Sequence, residues 1–161
     1  VQLDAEGAIQ YGMYYWDDNY PDSHVFAEGE CLRKTFDPDF MLYHTMAVDE
    51  WGHMKGADSA EYANAVAAVG HLIAARMPEW LQTGYQVVVT ADHGMNNLGI
   101  HVGTEPAQRE VALYIFSDKV ENGRFEENYI SQLNVAPMVC RLLGIPAAEG
   151  MKQELEIKLS K

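Results

Sequence analysis

The sequence has 161 residues, which is enough for one domain of ordinary size. Hydrophobic residues make up 48% and charged residues 22%, a balance that excludes wholesale disorder. Eleven Lys and Arg residues against 24 Asp and Glu residues give a formal net charge of −13. Such a surface repels phosphate backbones and anionic lipid, so we expect neither a nucleic-acid polymer nor a membrane as partner. An anionic substrate would need positive charge from another source, for which a metal ion is the obvious candidate.

The two cysteines, Cys31 and Cys140, lie far apart in the sequence and indicate neither a disulfide scaffold nor a cysteine-type zinc module. We expect both to be small core residues in a reducing compartment, which places the protein in the cytoplasm. The sequence contains no apolar run of about 18 residues, the length that would cross a membrane. Because no internal repeat or linker divides the chain, we expect residues 1–161 to form a single structural unit.

The apolar pattern predicts six regular elements. In chain order they are a helix over 23–36, a strand over 40–48, a helix over 59–81, strands over 85–90 and 111–116, and a helix over 129–143. The strands are apolar throughout rather than alternating, which is typical of a sheet buried on both faces. We therefore predict an α/β fold with a mostly parallel sheet and helices on both of its faces.

Polar side chains follow the first two of these strands. Ligands of parallel sheets gather beyond the carboxyl ends of the strands, which directs attention to the loops over 49–56 and 91–109. In the first loop Asp49 and His53 are four residues apart, so one helical turn would place both on the same side. Such a pair on its own is weak evidence, because this spacing is common on solvated helices.

The second loop contains three further candidates. Asp92 and His93 follow an apolar strand directly, and Gly94 permits the turn that lets both side chains converge. Two titratable residues at a strand end are costly unless they have partners, and His101 follows in the same loop. Carboxylate and imidazole ligands suit Zn²⁺ and also Mn²⁺ or iron. Five such residues are too many for one catalytic site with an open position and are about right for most of two.

The remaining histidines are interpreted as structural. His44 interrupts a predicted strand and is expected to be a buried histidine with a satisfied hydrogen bond, while His71 lies in a predicted helix. His24 shows no motif context. Arg109 is interpreted as a surface arginine at the entry to a strand.

Three motifs together resemble the metal-binding motifs of the alkaline phosphatase superfamily, in its type I phosphodiesterase/nucleotide pyrophosphatase branch. They are Asp49-x-x-x-His53, the TADHGM run over 90–95 and the HVG run over 101–103. The resemblance extends over about residues 23–146 of this sequence. It implies an alkaline phosphatase-like fold of which this chain is the C-terminal part, incomplete at its N-terminus.

The resemblance also implies a cofactor and an activity. Two divalent metal ions are expected, with Zn²⁺ as the first choice and Mn²⁺ as the alternative. Asp49, His53 and His101 would hold one ion, and Asp92 and His93 would contribute to the other. The implied activity is metal-dependent hydrolysis of phosphodiester or phosphate-ester bonds in a small substrate. Alternatives are a sulfatase or phosphomutase of the same superfamily, or a non-catalytic metal-binding or interaction domain.

The nucleophile that the resemblance requires has no counterpart in this chain. That family uses a Thr or Ser at a helix N-terminus together with an Asp from the first strand, and we expect both upstream of Val1. Thr90 and Thr104 are rejected as substitutes, since Thr90 matches the residue before the Asp-His pair and Thr104 begins no predicted helix. The chain alone is therefore expected to be inactive. Without the N-terminal part as its partner, it is expected to expose a sheet edge and to self-associate.

Overall fold

The computed structural model describes Gly7, residues 9–123, residues 129–151 and Ile157. In chain order its elements are α1 (Asp22–Phe36), α2 (Ala47–Lys55), α3 (Ala60–Gln82), β1 (Val87–Val89), α4 (Pro106–Arg109), β2 (Tyr114–Phe116), a 3-10 turn (Gln132–Asn134) and α5 (Val135–Leu143). This combination of helices and strands agrees with the predicted α/β class. Within the described residues no helix is both long enough and apolar enough to cross a membrane.

The two long helices were predicted correctly. Helix α3 begins where the sequence suggests, because the Ser59 hydroxyl oxygen accepts a hydrogen bond from the Tyr62 N–H at 3.1 Å. Helix α1 ends at Phe36, because the next residue, Asp37, has a φ of 45° that takes the chain out of the helix. The closing helix is shorter than predicted: residues 129–131 are not helical, and a 3-10 turn precedes α5.

The sheet differs from the prediction. The only sheet among the described residues pairs β1 with β2 in antiparallel register, with Val87 opposite Phe116 and Val89 opposite Tyr114. The prediction of parallel strands is therefore wrong for this pair. The physical reason is visible in β2, where exposed Tyr114 and Phe116 flank half-buried Ile115. This alternation is typical of an antiparallel strand with one face exposed to solvent. It cannot be read from the sequence, because the predicted strand over 111–116 is apolar throughout.

The strand predicted over 40–48 is also wrong, as is the loop predicted over 49–56. Residues 40–46 have no regular secondary structure, and α2 begins at Ala47. Phe40 is 55% exposed and Leu42 is 77% exposed, whereas Met41 and Tyr43 are half-buried. A strand needs a neighbour for its backbone hydrogen bonds, and none of the described residues forms a ladder with this segment.

The described residues group into two compact units: those within Val1–Pro78 and Thr90–Ala112 form the first, and those within Glu79–Val89 and Leu113–Lys161 form the second. The first contains α1, α2, α4 and most of α3, with Phe26, Leu32 and Ala65 among its buried apolar residues. The second contains β1, β2 and α5, whose core is formed by Met138, Leu142 and Ile157. The single unit expected from the sequence stays a prediction.

The cysteines depart from the expectation of two core residues. Both thiols are free, but Cys31 is exposed and Cys140 is only half-buried. Cys31 lies on α1 next to buried Leu32 but is not part of the buried face of that helix.

Candidate metal centre

Helix α2 carries Asp49 and His53 on one side. A carboxylate of α1 fixes where this helix begins: Asp22 Oδ1 accepts hydrogen bonds from the backbone N–H groups of Met46 at 3.2 Å and Ala47 at 3.4 Å. Asp22 is only 8% exposed, so these bonds lie away from water. The four-residue spacing then brings His53 Nε2 to 3.4 Å from Asp49 Oδ2.

The loop over 90–105 carries the other three predicted ligands. Asn96 closes a tight turn within it, because its Oδ1 accepts the N–H groups of Leu98 at 3.0 Å and Ile100 at 2.9 Å. The Asn96 N–H in turn donates to the Ile100 carbonyl at 3.1 Å. As the chain returns, the rings of His93 and His101 stack with centroids 3.8 Å apart and planes 11° from parallel.

Gly99 joins this loop to α2. It adopts a left-handed conformation with φ of 72°, which few residues other than glycine accept. A Cβ atom there would lie 2.7 Å from the His53 carbonyl oxygen and 2.9 Å from that of Gly52. Only a residue without a side chain allows the loop to lie this close to the helix.

Asp49 is the centre of the resulting cluster. Its Oδ1 lies 3.8 Å from Nε2 of both His93 and His101, while its Oδ2 faces His53. Asp92 Oδ2 lies 3.5 Å from His93 Nε2. All five predicted ligands are therefore neighbours in one cluster.

The structure groups the five residues differently from the two sets that the resemblance implies. One ligand atom each from Asp49, His93 and His101 lies within 4.8 Å of the others, so His93 joins residues that the resemblance assigns to a different ion. The assignment of particular residues to a first and a second ion stays a prediction.

Backbone carbonyls orient two of the imidazoles. His53 Nδ1 lies 2.8 Å from the Gly99 carbonyl oxygen, and His93 Nδ1 lies 3.0 Å from the Gly94 carbonyl oxygen. A carbonyl only accepts, so each Nδ1 carries the proton and donates it. In a neutral imidazole with its proton on Nδ1, the lone pair is on Nε2, and this atom faces the cluster in both residues, which is the arrangement of a metal-binding histidine.

The cluster chemistry fits a divalent cation. Asp49 Oδ1 is buried and has no hydrogen-bond partner among the described residues, although three imidazoles surround its carboxylate. A buried acceptor without a partner carries a desolvation cost of roughly 1–3 kcal/mol. A cation shared with the histidine nitrogens would remove that cost, and carboxylate with imidazole is a ligand set that Zn²⁺ and Mn²⁺ accept.

Two tyrosines report the negative charge around the cluster. Burial, and then the carboxylate of Asp49, raise the pKa of the Tyr62 hydroxyl above its ordinary value of 10.0. Burial also raises the pKa of Tyr15, with smaller contributions from three acidic residues, namely Asp18, Asp22 and Asp92. The acidic residues therefore make the surroundings of the cluster negative. An anionic substrate could approach it only with compensating positive charge.

The residues interpreted as structural stay outside the cluster contacts. His44 was expected to be buried, and this is wrong: it is exposed, with its Nδ1 2.6 Å from the Tyr15 hydroxyl. His24 packs edge-on against Tyr20, and His71 lies within α3 as predicted. Arg109 is exposed as expected, but its predicted place at the entry to a strand is wrong, because it ends α4 and β2 begins only at Tyr114.

Sequence reasoning missed three residues that shape the site, namely Asp22, Asn96 and Gln108. Two of them had a signal in the sequence. Asn96 opens a polar, glycine-containing stretch typical of a side-chain-closed turn. Gln108 follows Glu105 at the spacing of a capping box. Asp22 had none, because its partners lie on another helix.

The described residues thus define a mixed α/β protein with a carboxylate–imidazole cluster suited to divalent ions. The family model for type I phosphodiesterase / nucleotide pyrophosphatase matches residues 12–127, and the chain belongs to this family. The resemblance found in the motifs is therefore confirmed.

The chain is also similar to several curated proteins. The catalytic subunit of GPI ethanolamine phosphate transferase 3 from Mus musculus is 28% identical over 161 residues, covering 95% of this chain and 15% of that protein. The human protein of the same name is 27% identical with the same coverage. GPI ethanolamine phosphate transferase 2 of Schizosaccharomyces pombe is 26% identical over 132 residues, covering 70% of this chain and 17% of that protein. The chain thus spans about 15% of the length of these relatives. No solved structure matches it.

Proposed function

We propose that this chain forms the metal-binding part of an enzyme that cleaves phosphate-ester bonds. The observation that carries the proposal is the Asp49 carboxylate, whose buried Oδ1 accepts no hydrogen bond from the described residues and lies 3.8 Å from two imidazole nitrogens. Membership of the type I phosphodiesterase family supports the same conclusion independently.

The residues of the cluster would bind and orient the ions. Asp49, His53, His93 and His101 offer a carboxylate and three imidazoles, and Asp92 adds a second carboxylate beside His93. Divalent ions at such a site supply positive charge that stabilises the phosphoryl oxygens and lowers the pKa of a bound hydroxyl nucleophile. The Gly94 and Gly99 carbonyls hold the rings of His93 and His53, so this geometry exists before any ligand arrives. No residue of this chain is proposed as the nucleophile.

Transfer of the phosphate ester to a hydroxyl acceptor is the better-supported outcome, with hydrolysis by water as the alternative. The sequence analysis predicted hydrolysis, but the curated relatives described above are named ethanolamine phosphate transferases. By analogy with those names, the proposed substrate class is a phosphate ester of ethanolamine. Water and an alcohol attack phosphorus in the same way, so the acceptor that reaches the site decides between the two reactions.

Metal binding tests the first part of this proposal. Zn²⁺ and Mn²⁺ are titrated calorimetrically into the chain and into His53→Ala, with His71→Ala as the matched control on α3. We expect the wild type and His71→Ala to bind alike and His53→Ala to bind at least about 100-fold more weakly, since a ligand is lost. A wild-type chain that takes up neither ion would overturn the proposal.

Product analysis tests the second part, using the natural protein that carries this chain. A phosphoethanolamine diester is supplied with water alone and then with an added alcohol acceptor. Transfer predicts that the phosphoethanolamine group appears on the alcohol and that its release to water is small. Release to water at the same rate in both conditions would identify a hydrolase, and no cleavage with metal bound would refute phosphate-ester chemistry.

A further inference from the structure

Gln108 is a buried polar residue near the end of α4. It is only 5% exposed, and both ends of its amide are used. Its Oε1 accepts the Glu105 N–H at 3.2 Å, and its Nε2 donates to the Ile100 carbonyl at 3.1 Å. Its backbone carbonyl accepts the Gly94 N–H at 2.9 Å. A buried amide with this many bonds fixes the backbone segments that it joins.

Those bonds end beside two of the candidate ligands. Gly94 directly follows His93, and Ile100 directly precedes His101. Gln108 therefore holds the backbone next to both members of the stacked imidazole pair. Asn96 also contacts Ile100, and it bonds outside the 96–100 turn as well: its Nδ2 donates to Glu105 Oε2 at 3.3 Å, and its carbonyl accepts the Ala57 N–H at 3.2 Å. Gln108 bonds the residues next to both imidazoles, because its side chain holds Ile100 and its backbone carbonyl holds Gly94.

The geometry of the imidazole pair depends on this connection. Both Nε2 atoms lie 3.8 Å from the same carboxylate oxygen of Asp49, with the rings 3.8 Å apart. If either backbone segment moved, one nitrogen would leave that position while the other stayed. Metal affinity responds steeply to such misplacement, because outer partners that orient ligands typically contribute 10–100-fold.

We infer that Gln108 is a positioning residue of the metal centre: it sets the spacing of His93 and His101 and so tunes the affinity for a divalent cation. The inference rests on the proposed function, because it requires that the cluster binds such a cation. It assigns Gln108 no contact with the ion or with substrate.

Gln108→Glu is the principal variant. It keeps an oxygen to accept the Glu105 N–H but replaces the donor to Ile100 with a second acceptor, which the Ile100 carbonyl repels. The matched control is Gln86→Glu, which changes a half-buried glutamine of the other unit in the same way. We expect Gln108→Glu to weaken Zn²⁺ binding by about 10–100-fold in calorimetry, and Gln86→Glu to leave it unchanged.

A spectroscopic measurement separates positioning from general stability. Co²⁺ is bound in place of Zn²⁺, and the visible absorption of its complex is recorded, since the intensity and wavelengths of the bands depend on ligand geometry. We expect the spectrum of Gln108→Glu to differ from that of the wild type at full Co²⁺ occupancy. A residue that only stabilised the fold would lower the Tm of the metal-free chain and leave this spectrum as it was.

Gly103→Ala provides a second variant that leaves the glutamine in place. A Cβ at residue 103 would collide with the side-chain amide of Gln108 and displace it from Ile100, while the backbone at Gly103 is of a kind that alanine adopts. We expect weaker Zn²⁺ binding and an altered Co²⁺ spectrum, as for Gln108→Glu. If Gln108→Glu does not fold, this variant decides the question.

The outcomes distinguish the inference from the function on which it rests. A wild-type chain that binds no divalent ion refutes the proposed function in the first titration. A wild type that binds, together with Gln108→Glu and Gly103→Ala that bind within about twofold and show its spectrum, refutes the positioning role alone. An equal loss of affinity in Gln86→Glu would also refute it.

Discussion

Replacing Asp49 by asparagine should separate the stability of the metal-free chain from its response to metal. The substitution keeps the shape of the side chain but removes the charge and turns one carboxylate oxygen into an amide nitrogen. Asp49 Oδ1 is buried and accepts no hydrogen bond from the described residues, and the side chain is 23% exposed. The metal-free variant should therefore unfold at the same temperature as the wild type or higher, because a costly buried charge is gone.

With metal the order should reverse. A ligand that binds only the folded chain at 100 times its Kd adds about 2.7 kcal/mol of stability. For a chain of this length about 1 kcal/mol corresponds to roughly 2–4 °C, so Zn²⁺ should raise the wild-type Tm by roughly 5–11 °C. Loss of a residue that only orients a metal ligand typically lowers metal affinity by about 10–100-fold. Loss of the ligand Asp49 itself should therefore lower the affinity for Zn²⁺ by at least about 100-fold. At the same Zn²⁺ concentration the variant would gain only about 0.4 kcal/mol, or roughly 1–2 °C.

Thermal unfolding with and without Zn²⁺, followed by circular dichroism, measures both effects. Asp58→Asn, the same change at an exposed position of the same unit, is the control and should respond like the wild type. The reasoning is refuted if Asp49→Asn shows the full wild-type shift with Zn²⁺. It is also refuted if the metal-free variant is strongly destabilised, since Asp49 would then be a structural ion-pair partner of the histidines.

Two further predictions concern the scaffold of the same unit. Asp22→Ala should lower the free energy of unfolding by about 1–2 kcal/mol in urea titrations, because the Met46 and Ala47 N–H groups lose their acceptor. Asp22→Asn keeps that oxygen and should lose less than half as much; equal losses would contradict the capping role. Burial, and then the charge and hydrogen bond of Glu30, raise the pKa of the Tyr43 hydroxyl above 10.0. The unfolded chain then loses this proton first as the pH rises, so stability should fall above about pH 10. Tyr43→Phe should remove that part of the decline, and an unchanged pH profile would show that Tyr43 is not its source.

The sequence predicted the parts of this structure that local patterns determine. Helices α1 and α3 follow from the apolar spacing of their sequences. The five candidate ligands were predicted because acidic and imidazole residues recur after apolar runs, a pattern that is costly unless those residues have partners. The structure places these five side chains next to one another.

The parts that the sequence did not predict depend on contacts between distant residues. The run over 40–48 is apolar enough for a strand, yet its last two residues are the first of α2. The N-terminal capping that begins this helix comes from Asp22 on α1, which no local pattern reveals. Likewise, the sequence predicted His93 as a ligand but not the stacking of its ring on His101, because that stacking depends on the turn that Asn96 closes.

The close approach at Gly99 makes α2 and the loop over 90–105, which together carry the candidate metal ligands, interdependent. With φ of 72° and the His53 carbonyl directly beside it, this position ties the length and path of the loop to the last turn of α2. A residue inserted into the loop would shift both the contact and the carbonyl that orients the His53 ring. A chimera between this chain and a relative would therefore have to exchange residues 47–56 and 90–108 together.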